Sequence, residues 1–443
     1  MSEELISDIY NAFKPYEALP ADSPVYVRCS EVRGQENIFN EVGREIPRSN
    51  QSTCQLYTGH RGVGKSTELL RLKKYLEENG CLVVYFGATD SDIDEQDAQH
   101  TDILLACTRH ILEDLKELAN PRPLLQWLGN RLQELQKVLE QEVQINDPQV
   151  DVQIGAFAKL TANLQLVPGA RQRIRAEVEA HTKTLTQALN DFIVEAKQHL
   201  PAGKTKLVVI ADNLDRIVPV QRENGRNNHD EIFIDRCLQL RALQCHVIYT
   251  VPLSLVYSDR ATEIRDNYKS PQILPMIMVQ TRQNQIYPLG IERLSQIIQR
   301  RVDQVQPDLA LDGDVFDMAA TRLRLCEMSG GHVRELMLLL QVAIEWTDAL
   351  PITGKAVRRA ITEARENTYR NAVDDSEWIK LAEVAVSKQV PNEAGYRDLL
   401  FRRCLLEYRE FVSEDEIVRW HDVHPLIRDL AAFQTALTQV QTS

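Results

Sequence analysis

The sequence predicts an α/β protein. Five apolar strands form a parallel sheet wrapped by helices, and a helical arm is inserted midway. An all-helical region and a small unit of helices plus a two-stranded hairpin follow. Three observations carry this reading. Cys54–Leu72 reads CQLYTGHRGVGKSTELLRL: a strand-like apolar run, a glycine loop of pattern G-x-x-x-x-G-K-[ST], then helical recurrence of Leu69, Leu70 and Leu72. Near-continuous apolar runs at Lys206–Ala211 and Cys245–Val251 fit strands covered on both faces. Beyond Leu289 the apolar residues recur at helical spacing.

The elements follow in order. Residues 1–33 form a leading segment: one amphipathic helix, then Pro15, Pro20 and Pro24, then a strand-like Val25-Tyr26-Val27. Arg33-Gly34 opens a helix over Gln35–Arg44 that leads to the glycine-loop strand. After the loop's helix, Asn79-Gly80 supplies a cap and turn. Cys81–Phe86 is a second strand, and residues 98–118 a long helix with Ile103, Cys107, Ile111 and Leu115 on one side. Lys206–Ala211 is the third strand, Glu231–Leu243 a helix, Cys245–Val251 the fourth strand and Ile273–Val279 the fifth. Strands alternating with helices predict a parallel sheet with helices on its faces.

The stretch 119–202 interrupts this alternation. Arg122–Gln144 is heptad-like, Val150–Leu166 alternates like a hairpin, and Arg171–His199 is a second long amphipathic helix. This is an inserted helical arm, serving either as a helical wall or for partner contacts. The all-helical region comprises Gly290–Val305, Asp314–Met328, Val333–Thr347 and Gly354–Arg370. The last unit reads helix, turn at Pro391, helix through Tyr396–Cys404, strands Leu405–Arg409 and Ile417–Trp420, and a short final helix from Pro425. The boundaries expected are 34–288 for the core, 289–374 for the helical region and 375–443 for the last unit.

Composition sets the class. The chain has 443 residues, 26% charged and 43% hydrophobic, which is ordinary for a globular protein of about three domains. Its start, MSEELISDIYNAF, is acidic and amphipathic, unlike a secretory signal, and the longest aliphatic run, Leu207–Ala211, cannot span a bilayer. Eight cysteines without C-x-x-C spacing read as buried small hydrophobes in a cytoplasmic chain. A net charge of −13 counts against broad, sequence-blind nucleic-acid binding.

The chemistry centres on Gly59, His60, Arg61, Gly62, Val63, Gly64, Lys65, Ser66 and Thr67. Glycines let backbone N–H groups curl around phosphate oxygens, and the helix starting near Lys65 aims its positive end there. Lys65 is expected to reach the β and γ phosphates and Ser66 to hold Mg²⁺. Hydrolysis needs more: a carboxylate holding Mg²⁺ through water and a group orienting the attacking water. Asp212-Asn213-Leu214-Asp215-Arg216 ends an apolar strand at the carboxyl edge, where ligands collect in open α/β sheets. Asp212 is the expected magnesium carboxylate. Asp215 is the candidate for positioning water, because Asn213 stands where many such enzymes carry a second acid. Its alternative is a structural ion pair with Arg216.

Thr250, ending the fourth strand, could sense the γ-phosphate or be an ordinary strand threonine. Ser329-Gly330-Gly331-His332-Val333-Arg334 makes a turn into a helix with Arg334 in its first turn. A cation there gains nothing from the helix dipole, so a phosphate contact would account for it; the alternative is an arginine that is solvated or paired with Glu335 or another carboxylate. Arg260, Arg265 and Arg282 are candidates for an arginine finger acting on a neighbour's nucleotide. Asp90, Asp92 and Asp94 mimic a calcium loop, but Glu95 and Thr101 stand where it needs Gly and Glu. His421 and His424 have metal-like spacing without a third ligand nearby. With no Asn-Lys-x-Asp tetrad to select guanine, the nucleotide is expected to be ATP.

Gly59–Ser66, the D-x-x-D-R strand end at 212–216, Thr250 and Ser329–Arg334 together resemble the AAA+ and STAND branches of P-loop ATPases. The strand end is similar to that of KAP and NACHT-like groups. The helical lid followed by a winged-helix-like domain resembles the initiator ATPases. The resemblance covers roughly 34–436. It implies an α/β P-loop NTPase core with an all-α lid and a C-terminal winged-helix domain, and a switch in which ATP fixes the angle between core and lid. It further implies self-association when ATP-bound, a protein partner through the winged helix or the arm, and a signalling or defence role. Asn213 departs from the pattern and points to slow turnover.

Two rival readings stand beside it. One is a DNA-binding, initiator-like or transposition-regulator-like ATPase, favoured by Arg397, Arg402 and Arg403 on the candidate recognition helix. From Asp375 onward, however, 12 Asp and Glu face 8 Lys and Arg, a balance of −4, which opposes phosphate contacts. The other is a nucleotide-bound scaffold without turnover.

Overall fold

A computed structural model describes residues 3–35, 37–139, 151, 153–155, 158, 161, 168–222, 225–413 and 416–442. The chain divides into two compact units. One comprises Met1–Asn37, Gly59–Leu70 and Ile273–Ser443, the other Ile38–Thr58 and Arg71–Gln272.

The strands are β1 (Cys54–Gly59), β2 (Cys81–Gly87), β3 (Lys206–Asp212), β4 (His246–Thr250) and β5 (Gln272–Leu274). They form a five-stranded parallel sheet in the order β2-β3-β4-β1-β5, flanked by helices, as the sequence predicts. Gly87 of β2 stands opposite Asp212 of β3, so both strands end at one edge.

The second unit is built on the β1–β4 part of that sheet. Its helices are α3 (His100–Leu115), α4 (Arg122–Leu139) and α5 (Pro168–Gln198). Val84, Phe86, Val209, Ala211 and Val247 share one buried cluster with Ile103, Cys107 and Ile111 of α3, Leu124 and Leu128 of α4, and Leu189 and Phe192 of α5. The inserted arm is therefore rooted in the core. Its root is also ionic: Arg171 pairs with Asp94 (2.7 Å) and Asp97 (3.0 Å), and Arg175 with Asp97 (2.9 Å) and Asp102 (2.5 Å). Of the hairpin expected over 150–166, residues 151, 153–155, 158 and 161 are helical, and the rest lies outside the described residues, as do 140–144.

The first unit holds α1 (Glu3–Ala12), the start of α2 (Lys65–Glu78), and a helical run α6 (Pro288–Val305), α7 (Ala319–Met328), α8 (Val333–Glu345) and α9 (Gly354–Ala364). Then come α10 (Trp378–Ser387), α11 (Ala394–Phe401), the strands β6 (Leu405–Phe411) and β7 (Ile417–Val423), and α12 (Ala431–Thr442). β6 and β7 form an antiparallel pair in which Tyr408 opposes Trp420, their rings stacked at 4.6 Å.

Several local expectations change: the helix expected over Gln35–Arg44 is a π-turn at Phe39–Gly43, and the one expected from Asp314 starts only at Ala319. Val25 and Val27 are buried but the stretch makes no strand, and the Arg300 guanidinium takes the Tyr26 carbonyl. The fifth strand stops at Leu274 because Pro275 has no N–H for the ladder. Beyond it, the N–H groups of Met276 and Met278 bond the carbonyls of Glu407 and Val32. The helix expected over 231–243 breaks into a π-turn at Glu231–Asp235 and a short helix at Cys237–Leu240. The helix α12 follows the short one at Pro425–Arg428, where none was expected.

Candidate functional site

The glycine loop belongs to the first unit and is shaped by positive φ. Gly59 (φ 150°), Gly62 (86°) and Gly64 (109°) adopt conformations that side-chain-bearing residues avoid. Two of them also lack room: a Cβ at Gly59 would lie 2.5 Å from the Leu274 carbonyl, and one at Gly62 2.8 Å from the His332 ring. The buried Lys65 ammonium donates to the carbonyls of Gly59 (2.8 Å) and His60 (2.9 Å), closing the loop on itself. Ser66 is half-buried at the start of α2, and Thr67 accepts from the Leu19 N–H at 3.0 Å. Val63 offers its carbonyl to Arg33 at 2.9 Å.

Two histidines tie this loop to distant parts of the same unit. His60 is buried, and its Nε2 accepts from the Glu407 N–H of β6 at 3.0 Å. Burial pushes its pKa down to about 3, so the ring is neutral with its proton on Nδ1. His332 caps α8: its Nδ1 accepts from the Glu335 N–H (3.1 Å), leaving Nε2–H to donate to the Arg61 carbonyl at 2.6 Å. Burial holds this imidazole well below its ordinary pKa as well. The Arg334 N–H donates to the Gly62 carbonyl (3.3 Å). Its guanidinium donates to the Pro15 carbonyl (3.0 Å) and lies over the Tyr16 ring at 5.4 Å.

The strand-end residues belong to the second unit. Asp212 is 1% exposed; its carboxylate accepts from the Tyr85 hydroxyl and from the Asn213 N–H, each at 2.7 Å. Asn213 takes a left-handed conformation (φ 68°), which Asn tolerates better than most residues. Asp215 is buried in the turn Leu214–Arg216. Arg216 pairs with Asp90 at 3.5 Å and Glu95 at 3.9 Å. The Thr250 hydroxyl accepts from the Leu214 N–H at 2.9 Å, so it braces the turn that carries Asp215.

Other candidates separate on their contacts. Arg260 is neutralised by Asp235 (2.8 Å) and Glu263 (2.7 Å), whereas Arg265 and Arg282 are exposed. Arg402 pairs with Glu377, and Arg397 and Arg403 are half-buried. His424 is a core histidine: it caps the turn at Leu426 (3.2 Å) and meets the Tyr369 hydroxyl at 3.1 Å. Asp92 is buried against Arg109 (2.7 Å) and His110 (3.0 Å). Among the described residues there is no cluster of three or more His, Cys, Asp or Glu that could hold a metal, and no helix long and apolar enough to cross a membrane. The linking roles of His60 and His332 are not readable from their local sequence, since each partner lies hundreds of residues away.

Residues 46–221 match the family described as the KAP family P-loop domain, a stretch that holds the loop, Asp212 and Asp215. No curated protein matches the chain. Among solved structures, the chain is similar to the ORC2 protein of Aeropyrum pernix in ADPNP–ADP complexes, at 11% identity, 98% of each chain and TM-score 0.41. It is also similar to Cdc6p of Pyrobaculum aerophilum, at 12% identity, 97% of this chain, 98% of that chain and TM-score 0.40. A third is the Walker-type ATPase of Pyrococcus abyssi, at 13% identity, 94% of this chain, 100% of that chain and TM-score 0.39. With its glycine loop between β1 and α2 on a parallel sheet, the fold is that of a P-loop NTPase.

Proposed function

We propose that this chain is a regulatory ATPase of AAA+/STAND type: a nucleotide-dependent switch that binds ATP, hydrolyses it slowly and self-associates in the ATP state. The observation that carries the reading is the sharing of the loop's hydrogen bonds. Arg61 is held by His332 of α8 and His60 by Glu407 of β6, so a change in loop shape must alter contacts made by both. A loop built only to bind nucleotide needs neither contact.

In this mechanism the loop's N–H groups and Lys65 grip the phosphates, with Lys65 releasing the Gly59 and His60 carbonyls to do so. Ser66 and Asp212 suit Mg²⁺: a hydroxyl at a helix start, and a buried carboxylate whose oxygens already accept two hydrogen bonds and so would act through water. Magnesium, when bound, supplies charge neutralisation at the phosphates. Arg334 would exchange the Pro15 carbonyl for a phosphate oxygen, and Thr250 would hold the strand-end turn in place. The exposed Arg265 and Arg282 are the finger candidates in a neighbouring copy. A signalling or defence role in the cytoplasm, with a protein partner at the winged-helix-like 375–443 region or at the inserted arm, completes the proposal.

The test is to size the purified protein with ATP, with ADP and without nucleotide while following phosphate release. Larger assemblies with ATP and slow phosphate release are expected. Unchanged size in all three states removes the switch. Salt-sensitive binding to duplex DNA at physiological ionic strength would replace it with the initiator-like reading.

A further inference from the structure

Asn213 leaves the strand end without the second acid that orients water in related chemistry, and Asp215 is only 5% exposed. A different carboxylate reaches the same edge. Asp90 follows β2 in the turn Ala88–Ser91, and β2 runs beside β3 with Gly87 opposite Asp212. The Asn213 amide donates to both oxygens of Asp90, at 3.2 and 3.4 Å. Arg216 approaches the same carboxylate at 3.5 Å. The close approach is built in at Gly87, where a Cβ would lie 2.0 Å from Asp90 Oδ2 and 3.0 Å from Asn213 Nδ2. Any other residue at 87 would push the carboxylate off the strand end. The Asp90 side chain nevertheless stays 60% exposed, so water reaches it.

We propose that Asp90 is the water-orienting carboxylate of this ATPase, supplying from β2 the acid that β3 lacks. Asn213 and Arg216 hold it at the carboxyl edge beside Asp212, leaving lone pairs to accept a hydrogen bond from the attacking water. The water oxygen bonds to the γ-phosphorus, and the bond from that phosphorus to the β–γ bridging oxygen breaks. ADP departs with the electron pair, and the water's protons finish on the inorganic phosphate and solvent. The assignment rests on the hydrolysis reading above.

Phosphate release at saturating ATP, ATP affinity and thermal stability are measured for wild type, Asp90→Asn, and the double variant Asp90→Asn with Asn213→Asp. Loss of a positioned carboxylate is expected to lower the rate of Asp90→Asn about 100-fold. ATP affinity should stay within about threefold, since the carboxylate acts on water and not on the ground-state nucleotide. The double variant returns an acid to the same strand end and should recover at least about tenfold of the loss. Because the swap can also re-form the amide–carboxylate hydrogen bond, thermal stability and ATP affinity, both expected unmoved in Asp90→Asn, separate water positioning from a structural role. A wild type that releases no phosphate overturns the hydrolysis reading and this assignment together. A wild type that turns over beside an Asp90→Asn of equal rate overturns the assignment alone. So does a double variant no faster than the single one, or a rate loss matched by loss of ATP affinity.

Discussion

The imidazole of His332 donates to the Arg61 carbonyl across 2.6 Å while its other nitrogen accepts from the Glu335 N–H. One neutral ring thus caps α8 and pins the glycine loop. Replacing it with leucine removes the donor to the part-buried Arg61 carbonyl and leaves the buried Glu335 N–H without its cap. We expect His332→Leu to cost about 2–4 kcal/mol, at about 1–3 kcal/mol for the orphaned N–H and about 1 kcal/mol for the lost hydrogen bond to Arg61. Urea unfolding measures this, and a loss under about 0.5 kcal/mol, the size of a surface change, would contradict the cap.

At Gly62 the backbone is left-handed and the His332 and Arg334 side chains stand where a Cβ would go, at 2.8 and 2.9 Å. Gly62→Ala must strain the backbone by about 1–2 kcal/mol and displace the His332 ring. ATP affinity should fall by at least about tenfold, which equals about 1.4 kcal/mol. Calorimetric titration with ATP decides the matter, and Gly64→Ala gives the contrast. A Cβ added at Gly64 would meet nothing within 4 Å, so only the φ penalty applies there.

Lys65→Ala removes the charge-assisted contacts to phosphate, at about 1.5–3 kcal/mol, so ATP binding should weaken about 10- to 150-fold. Unchanged affinity would falsify the phosphate-loop assignment itself.

Acid should destabilise the fold sooner than its many carboxylates suggest. Burial depresses His60 to about 3, and His100, His229, His246 and His421 to about 4. In the unfolded chain each protonates near about 6.5. Below that value the unfolded state binds more protons than the native one, so stability is full above about pH 6.5 and falls as pH drops toward the native values. Each histidine contributes about 1.4 kcal/mol per pH unit over that span. Glu335 and Asp102, raised by burial, work in the opposite direction and offset a part. Unfolding free energy should drop by several kcal/mol between about pH 7 and pH 5. A flat profile across that window would mean the buried histidines are already charged.

Legibility followed the range of the interactions. The loop, β1 and α2 were readable because glycine spacing, strand and helix are local features of 19 residues, Cys54–Leu72. The sheet order was inferable only as a class, since apolar runs such as Lys206–Ala211 say that a strand is buried without naming its neighbours. β5 was overread because Ile273–Val279 looks uniformly apolar, while its later N–H groups answer to Glu407 and Val32. α12 went unread because Gln434, Thr435, Thr438 and Gln439 dilute its pattern, and burial of Phe433 and Ala436 beside α10 supplies what propensity does not. Asp90 was visible as a calcium-loop mimic, and its signal was position: an acid three residues past a strand that ends in glycine.

The grouping of the chain also has a consequence for its synthesis. Arg61 leaves the ribosome 271 residues before His332, and His60 emerges 347 residues before Glu407. The loop's own strand can pair and its helix can coil long before then. A nascent or truncated chain lacking α8 and β6 would therefore carry a legible nucleotide motif with two of its anchors missing. The two histidine contacts that pin the loop are therefore completed late in translation, long after the motif itself has emerged.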